Sequence, residues 1–167
     1  AIKSGDMAAA KKLGPQTAEY TPQMVEETKL LFDLLGVTWI DAPMEAEGAA
    51  AVRCARGEVG AVASQDWDTL LYGAPIMIRN LTSHGTRKFG RVLRAEKIVL
   101  EDTLAKHEIT HKQLVDLGIM IGTDFHPGIK GIGPKTGLKL IKEHGTLEKV
   151  AVAKGFEPPE QLEEIRT

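Results

Sequence analysis

The sequence predicts an α/β fold: a mixed or parallel sheet with flanking helices, followed by a helix–hairpin–helix element. Three observations carry this reading. Short β-branched runs alternate with helix-period segments over short joints, the pattern of a strand–helix–strand sheet. Acidic pairs follow two of those runs, where ligands gather at the carboxyl ends of such strands. A glycine-punctuated turn, HPGIKGIGPK (126–135), then opens into an amphipathic segment.

TPQMVEETKLLFDLLG (21–36) reads as a helix. Thr21 is its N-cap, Pro22 stands at the first position, and Met24, Val25, Thr28, Leu31, Phe32 and Leu35 form a stripe that Gly36 ends. VTWI (37–40) is expected as a buried strand and Glu45–Arg56 as an alanine-rich helix closed by Gly57. GAVAS (60–64) and PIMIRNL (75–81) are the next strands, and 83–99 is an exposed loop running into another. Thr110 with Gln113 makes a capping box that starts a helix through Leu114, Leu117, Ile121 and Gly122 and delivers Asp124 at its far end. Pro134 to His144 is the helix after the glycine turn; the first twenty residues and the tail after about 153 are less regular.

Composition narrows the class. With 167 residues, 43% of them hydrophobic, the chain can bury a sizeable core. No apolar stretch approaches the roughly 20 residues of a membrane span, and AIKSGDMAAAKK has no signal-peptide core. One cysteine, Cys54, excludes an internal disulfide framework and a cysteine-based zinc site; it reads as a small packed helix residue in an intracellular protein. Net charge is −2, yet four lysines (Lys130, Lys135, Lys139, Lys142) stand against one acid between His126 and His144, so basic character concentrates on one element.

With 23 acids among 167 residues, any single D-x-D or E-x-E pair is ordinary surface. Glu45 with Glu47, Asp66 with Asp68, and Asp124 before the glycine loop form a far less accidental set. Like charges held together call for a cation between them. All-oxygen donors suit hard Mg²⁺ over zinc, and two such ions about 4 Å apart serve phosphodiester hydrolysis. In GIKGIGPK (128–135), Gly131 and Gly133 allow close backbone approach to a phosphate at the N-terminus of the next helix. The spacing is not that of a nucleotide-binding P-loop, so a hairpin gripping a DNA backbone without reading bases fits best, with an ordinary glycine turn as the alternative. The five histidines read as surface residues, and Trp39, Trp67, Tyr72 and Phe125 as core.

APMEAEGAA, SQDWDTLLYGAP, IRNLT and GTDFHPGIKGIGPKTGLKLI, in that order between about residues 20 and 145, closely resemble the flap endonuclease family, most of all its archaeal members. The resemblance implies a 5′-nuclease (PIN-like) core with a helical arch and a helix–three-turn–helix, acting as a metal-dependent structure-specific 5′ flap endonuclease on branched DNA in replication and repair. Position by position it implies that Glu45, Glu47, Asp66, Asp68 and Asp124 are catalytic metal ligands for two Mg²⁺, with Mn²⁺ able to substitute. Carbonyls of Gly128, Ile129 and Ile132 correspond to a K⁺ site, and Gly131, Gly133, Lys130, Lys135 and Lys139 to the DNA-binding face. A family member carries seven acids, two of them from an N-terminal domain that is missing between these termini. That domain also supplies an arch base and a stacking aromatic. The implied division is 1–20 arch remnant, 21–122 nuclease core, 123–153 DNA-binding element and 154–167 tail. PPEQLEEIRT resembles no sliding-clamp peptide, which leaves a clamp partner to the intact protein. No membrane partner is expected, and the setting is cytoplasm or nucleoid, or nucleus in a eukaryote. A sister exonuclease or excision-repair nuclease, and a non-catalytic DNA-binding module, remain alternatives.

Overall fold

Thr21 caps the first helix as its side chain requires: its Oγ1 accepts from the Met24 N–H at 3.2 Å, and Pro22 opens helix α1 (Pro22–Leu35). The computed structural model describes residues 21–160 and 162–166 apart from 84, 86, 89 and 125, so the arch remnant, His84 and Phe125 lie outside the described residues. The chain divides into two units, residues 1–41 and 42–167.

In the first unit Gly36 ends α1 in the left-handed region, φ 67°. The predicted stripe exists but stays exposed, with Leu31 at 52% and Leu35 at 66%. VTWI departs from expectation. It forms no strand, and Val37 and Ile40 are exposed, because no strand among the described residues pairs with 37–40. A β-branched run without a ladder partner leaves its backbone groups to water. Trp39 instead folds back on α1: its Nε1–H donates to Asp33 at 2.8 Å, and Lys29 lies 4.7 Å from its ring centroid.

The second unit begins with helix α2 (Ala46–Ala55), whose inner face buries Ala51 and Cys54. Strand β1 (Val62–Ala63) pairs parallel with β2 (Ile76–Arg79), in the register Val62 to Met77 and Ala63 to Ile78. Between them lies the short helix α3 (Asp68–Leu71). A two-stranded ribbon, β3 (Arg87–Lys88) and β4 (Arg91–Val92), precedes β5 (Glu96–Val99). Strand β5 runs antiparallel to β2, so the three-stranded sheet is mixed.

Helix α4 (Leu100–His107) leads to α5 (His111–Ile121), which opens on the predicted capping box. Its apolar face meets α6 (Pro134–His144) and α7 (Leu147–Lys154) in the largest core, centred on Leu117, Met120, Leu140, Ile141, Leu147 and Val150. The α5–α6 crossing is close because Gly137 has no side chain; a Cβ there would press on Leu117. Beyond α7 the last turn, α8 (Leu162–Ile165), buries Leu162 in the same core. No helix of the described residues is long and apolar enough to cross a membrane.

Candidate metal centre and nucleic-acid interface

Glu45 and Glu47 follow an irregular segment and open a helix, where a strand end was expected. Glu45 is the N-cap residue of α2 and Glu47 lies in its first turn. The positive end of the helix dipole there favours carboxylates and offsets part of their repulsion. Asp66 and Asp68 differ likewise from the extended pair expected. Trp67 has helical backbone angles, φ −72° and ψ −18°, and Asp68 is the first residue of α3. Their link is a turn: Asp66 Oδ1 accepts from the Asp68 N–H at 3.0 Å. The Ser64 hydroxyl joins the two acidic segments, accepting from the Asp66 N–H at 3.0 Å and donating to Glu47 Oε1 at 3.3 Å. Asp124 stands in a tight turn closed by reciprocal Thr123–His126 backbone bonds.

Two groups register how these acids converge. Partial burial pushes the Asp68 carboxyl up from its ordinary value, and the charges of Asp66, Asp124, Glu47 and Glu45 each push it further. The Tyr72 phenol is raised too, first by burial and then by Glu45, Asp68, Glu47 and Asp124. Five carboxylates from three separate segments therefore share one field. Among the described residues, however, no three His, Cys, Asp or Glu side chains come together closely enough to hold an ion. The donor set suits a hard divalent cation in chemistry, being all carboxylate, and the spread leaves room for ligands beyond these five. Glu45, Asp68 and Tyr72 also line an open cleft of about 860 Å³, as do Arg53, Arg56 and Lys112.

The hairpin from 126 to 133 is anchored internally. Ile129 N–H donates to Met120 O at 2.8 Å and Ile132 N–H to Ile129 O at 3.0 Å, while both isoleucine side chains pack on the helical core. Gly128 is required by the fold, because at φ 80° a Cβ would collide with the Ile121 carbonyl. Gly133 is different: it caps α6 at φ −100° and a Cβ there would meet open space. Lys130, Lys135 and Lys139 are exposed around it. Lys142, counted with them in the sequence, is neutralised by Glu108.

An α/β unit with acids clustered beyond its sheet, joined to a lysine-bearing hairpin, is the fold of a 5′-nuclease catalytic core. The XPG I-region model matches residues 36–124, and the chain belongs to that family. All five acids lie within the match. The chain is 43% identical over 165 residues to flap endonuclease 1 of Ignicoccus hospitalis, covering 96% of this chain and 47% of that protein. It superposes on the flap endonuclease-1 structure from Methanococcus jannaschii with TM-score 0.76 and 38% identity, over 99% of this chain and 49% of that one. The catalytic core of Rad2, solved in complex with a DNA substrate, matches with TM-score 0.74 at 22% identity, a likeness of fold. The chain thus spans about half the length of the relatives it matches.

Four residues at this site were missed or misplaced by sequence reasoning. Ser64 carried no signal beyond its position. Trp67, expected in the core, is 51% exposed. Arg79 stacks on it, with Cζ 4.1 Å from the ring centroid. Tyr72, expected in the core, packs half-buried against the cluster of Ala51, Cys54, Val62 and Ala74; what the sequence did not show is that its phenol also lies in the field of the carboxylates. Two histidines expected at the surface are half-buried and bonded instead: His111 Nε2 lies 3.1 Å from Leu70 O, and His126 Nδ1 accepts from the Gly128 N–H at 3.0 Å.

Proposed function

We propose that this chain carries most of the active centre and the DNA-gripping hairpin of a metal-dependent, structure-specific 5′ flap endonuclease. The observation that carries the reading is the hydrogen-bonded chain that runs from Glu47 through Ser64 to Asp66 and Asp68, with the charges of Glu45 and Asp124 also acting on Asp68. The role of these five acids is to hold divalent ions, Mg²⁺ or Mn²⁺. Such ions activate a water and stabilise the leaving oxygen when bound. Ser64 and the Asp66–Asp68 turn orient the carboxylates, and the N-terminus of α2 sets its positive dipole end beside the two glutamates.

The hairpin anchors the duplex through its backbone. A Cβ at Gly133 would meet open space, which supports close approach of an external phosphate at the N-terminus of α6. Lys130, Lys135 and Lys139 supply charge around it. Carbonyls of Gly128, Ile129 and Ile132 hold K⁺ there; Ile129 O already accepts from Ile132 N–H and keeps a second lone pair for an ion. Branched DNA inside the cell is the substrate.

Completion of the site calls for ligands and positioning groups beyond these five acids, since misplacing a reacting phosphate by about 1 Å can cost roughly 10²-fold. The test is a labelled 5′-flap substrate with Mg²⁺, given to the 167-residue chain alone and then with a separately made N-terminal domain of a related nuclease. Weak or absent cleavage alone, with cleavage at the flap base on addition, is the expected result. Vigorous Mg²⁺-dependent cleavage by the chain alone would show that the five acids suffice. No cleavage in either arm, with Asp68→Asn binding Mn²⁺ like wild type, would leave only the non-catalytic DNA-binding reading.

A further inference from the structure

We infer that Arg79 is a positioning residue for the metal-binding carboxylates, holding the Asp66–Asp68 turn from its far side. The inference rests on the proposed metal role of those aspartates. Strand β2 ends at Arg79, one register step beyond the Ala63–Ile78 pair, so it stands beside the segment leaving β1. Its guanidinium grips that segment at two points flanking Asp66. Nη2 donates to Gln65 O at 3.3 Å, and Cζ stacks 4.1 Å over the ring of Trp67. Ser64 Oγ and Asp66 Oδ1 tie the other side of the same turn, through the N–H groups of Asp66 and Asp68. Asp66 is therefore held between an arginine clamp and a hydrogen-bonded chain leading to Glu47.

The arginine does not act as a counter-charge. Its contacts are with the Gln65 carbonyl and the Trp67 ring, and neither is a carboxylate. Its Nε is buried without a hydrogen-bond partner, a cost tolerated for the geometry that the planar head imposes. An ammonium could neither stack flat on Trp67 nor keep the fork orientation.

These two roles predict opposite signs, which makes the test decisive. Removing a nearby positive charge should tighten binding of a divalent cation if only its field mattered; removing a positioning group should weaken it. Mn²⁺ is titrated calorimetrically into the chain and into Arg79→Ala, Arg79→Lys and Asp68→Asn, with thermal unfolding followed in parallel. Both Arg79 variants should bind Mn²⁺ about tenfold more weakly, the usual effect of losing a partner that orients a ligand. Their unfolding temperatures should stay close to wild type. In a Trp39→Phe background, the Trp67 emission of Arg79→Ala should shift to longer wavelength with no metal present, as one ring face opens to water. Equal or tighter Mn²⁺ binding by Arg79→Ala, or wild-type affinity in Arg79→Lys, would overturn the assignment while a weakened Asp68→Asn leaves the metal centre standing. Wild-type affinity in Asp68→Asn would remove the metal centre itself, and the positioning role with it.

Discussion

A carboxyl that partial burial and then the charges of four other acids push up from its ordinary value is a destabilised residue, and Asp68 is in that position. Asp68→Asn removes one charge from the cluster and keeps the side-chain shape. In the absence of metal it should unfold at a slightly higher temperature than wild type, while binding Mn²⁺ at least tenfold more weakly by calorimetry. A lower unfolding temperature would mean that the acid stabilises the fold. Glycines separate fold from function in the same way. Gly128→Ala should destabilise the chain in urea unfolding, since the new Cβ meets the Ile121 carbonyl at a left-handed backbone position. Gly133→Val has no internal clash to suffer. It should stay folded, with a cost of about 1 kcal/mol at the α6 N-cap, yet lose affinity for duplex DNA in a gel-shift or anisotropy titration by more than that cost accounts for.

At the level of elements, the carboxyl-terminal turn is tied down by an ion cluster. Asp116 on α5 is fully buried, accepts from the Leu147 N–H at 3.0 Å, and pairs with Arg166 at 2.7 Å. Arg166 also reaches Glu148 of α7 and Glu163 of α8, each at 2.6 Å. Arg166→Met would leave Asp116 as an uncompensated buried charge, a loss of about 3–5 kcal/mol that urea unfolding at neutral pH should register. Acid should act on the same cluster. Hydrogen bonding to Arg166 lowers the Glu148 carboxyl from 4.5 to about 2. A depressed acid contributes stability that is complete above its unfolded value and is lost as pH falls through the folded one. Part of the chain's stability should therefore disappear between about pH 4.5 and pH 2, and Glu148→Gln should flatten that part of the acid titration. On α6 the matching prediction concerns salt. Lys135→Ala should weaken binding alike on unrelated duplexes and reduce the slope of log affinity against log salt by about one. Lys142→Ala should do less, because Glu108 already engages that lysine.

The whole molecule sets a cluster of negative charge against a basic hairpin on a chain of net charge −2. Neutralising five carboxylates with bound cations reverses the sign of that balance, so metal and DNA binding should be coupled. Ca²⁺, which fills oxygen sites, should strengthen duplex binding relative to EDTA, and Asp68→Asn should reduce the gain. Equal affinity with Ca²⁺ and EDTA would separate the two sites.

Local elements were legible because their causes are local. The Thr21 and Thr110 caps, the Gly36 stop, the Pro134 start and the core stripe of α5 follow from hydrogen bonds and periodicity within a few residues. Acids suited in chemistry to a divalent cation were legible too, because chemistry follows residue type. Their arrangement was not. VTWI has the composition of a buried strand, but a strand exists only beside another, and residues 37–40 have no such neighbour among the described residues. Asp66 and Asp68 alternate as an extended pair would, but the Ser64 hydroxyl and the Asp66 carboxylate bond the backbone into a turn. Arg79 reads as one more surface cation until β2 sets it beside Gln65 and Trp67. By itself the sequence determined the helices that begin near residues 22, 46, 111 and 134, together with the acidic pairs and the hairpin glycines, since each depends on side-chain type and short-range spacing. The helices at 68–71, 100–107, 147–154 and 162–165 were not legible in it. Only the tertiary structure decided which groups share a field and which side chains orient them, because both depend on distances between residues far apart in the chain.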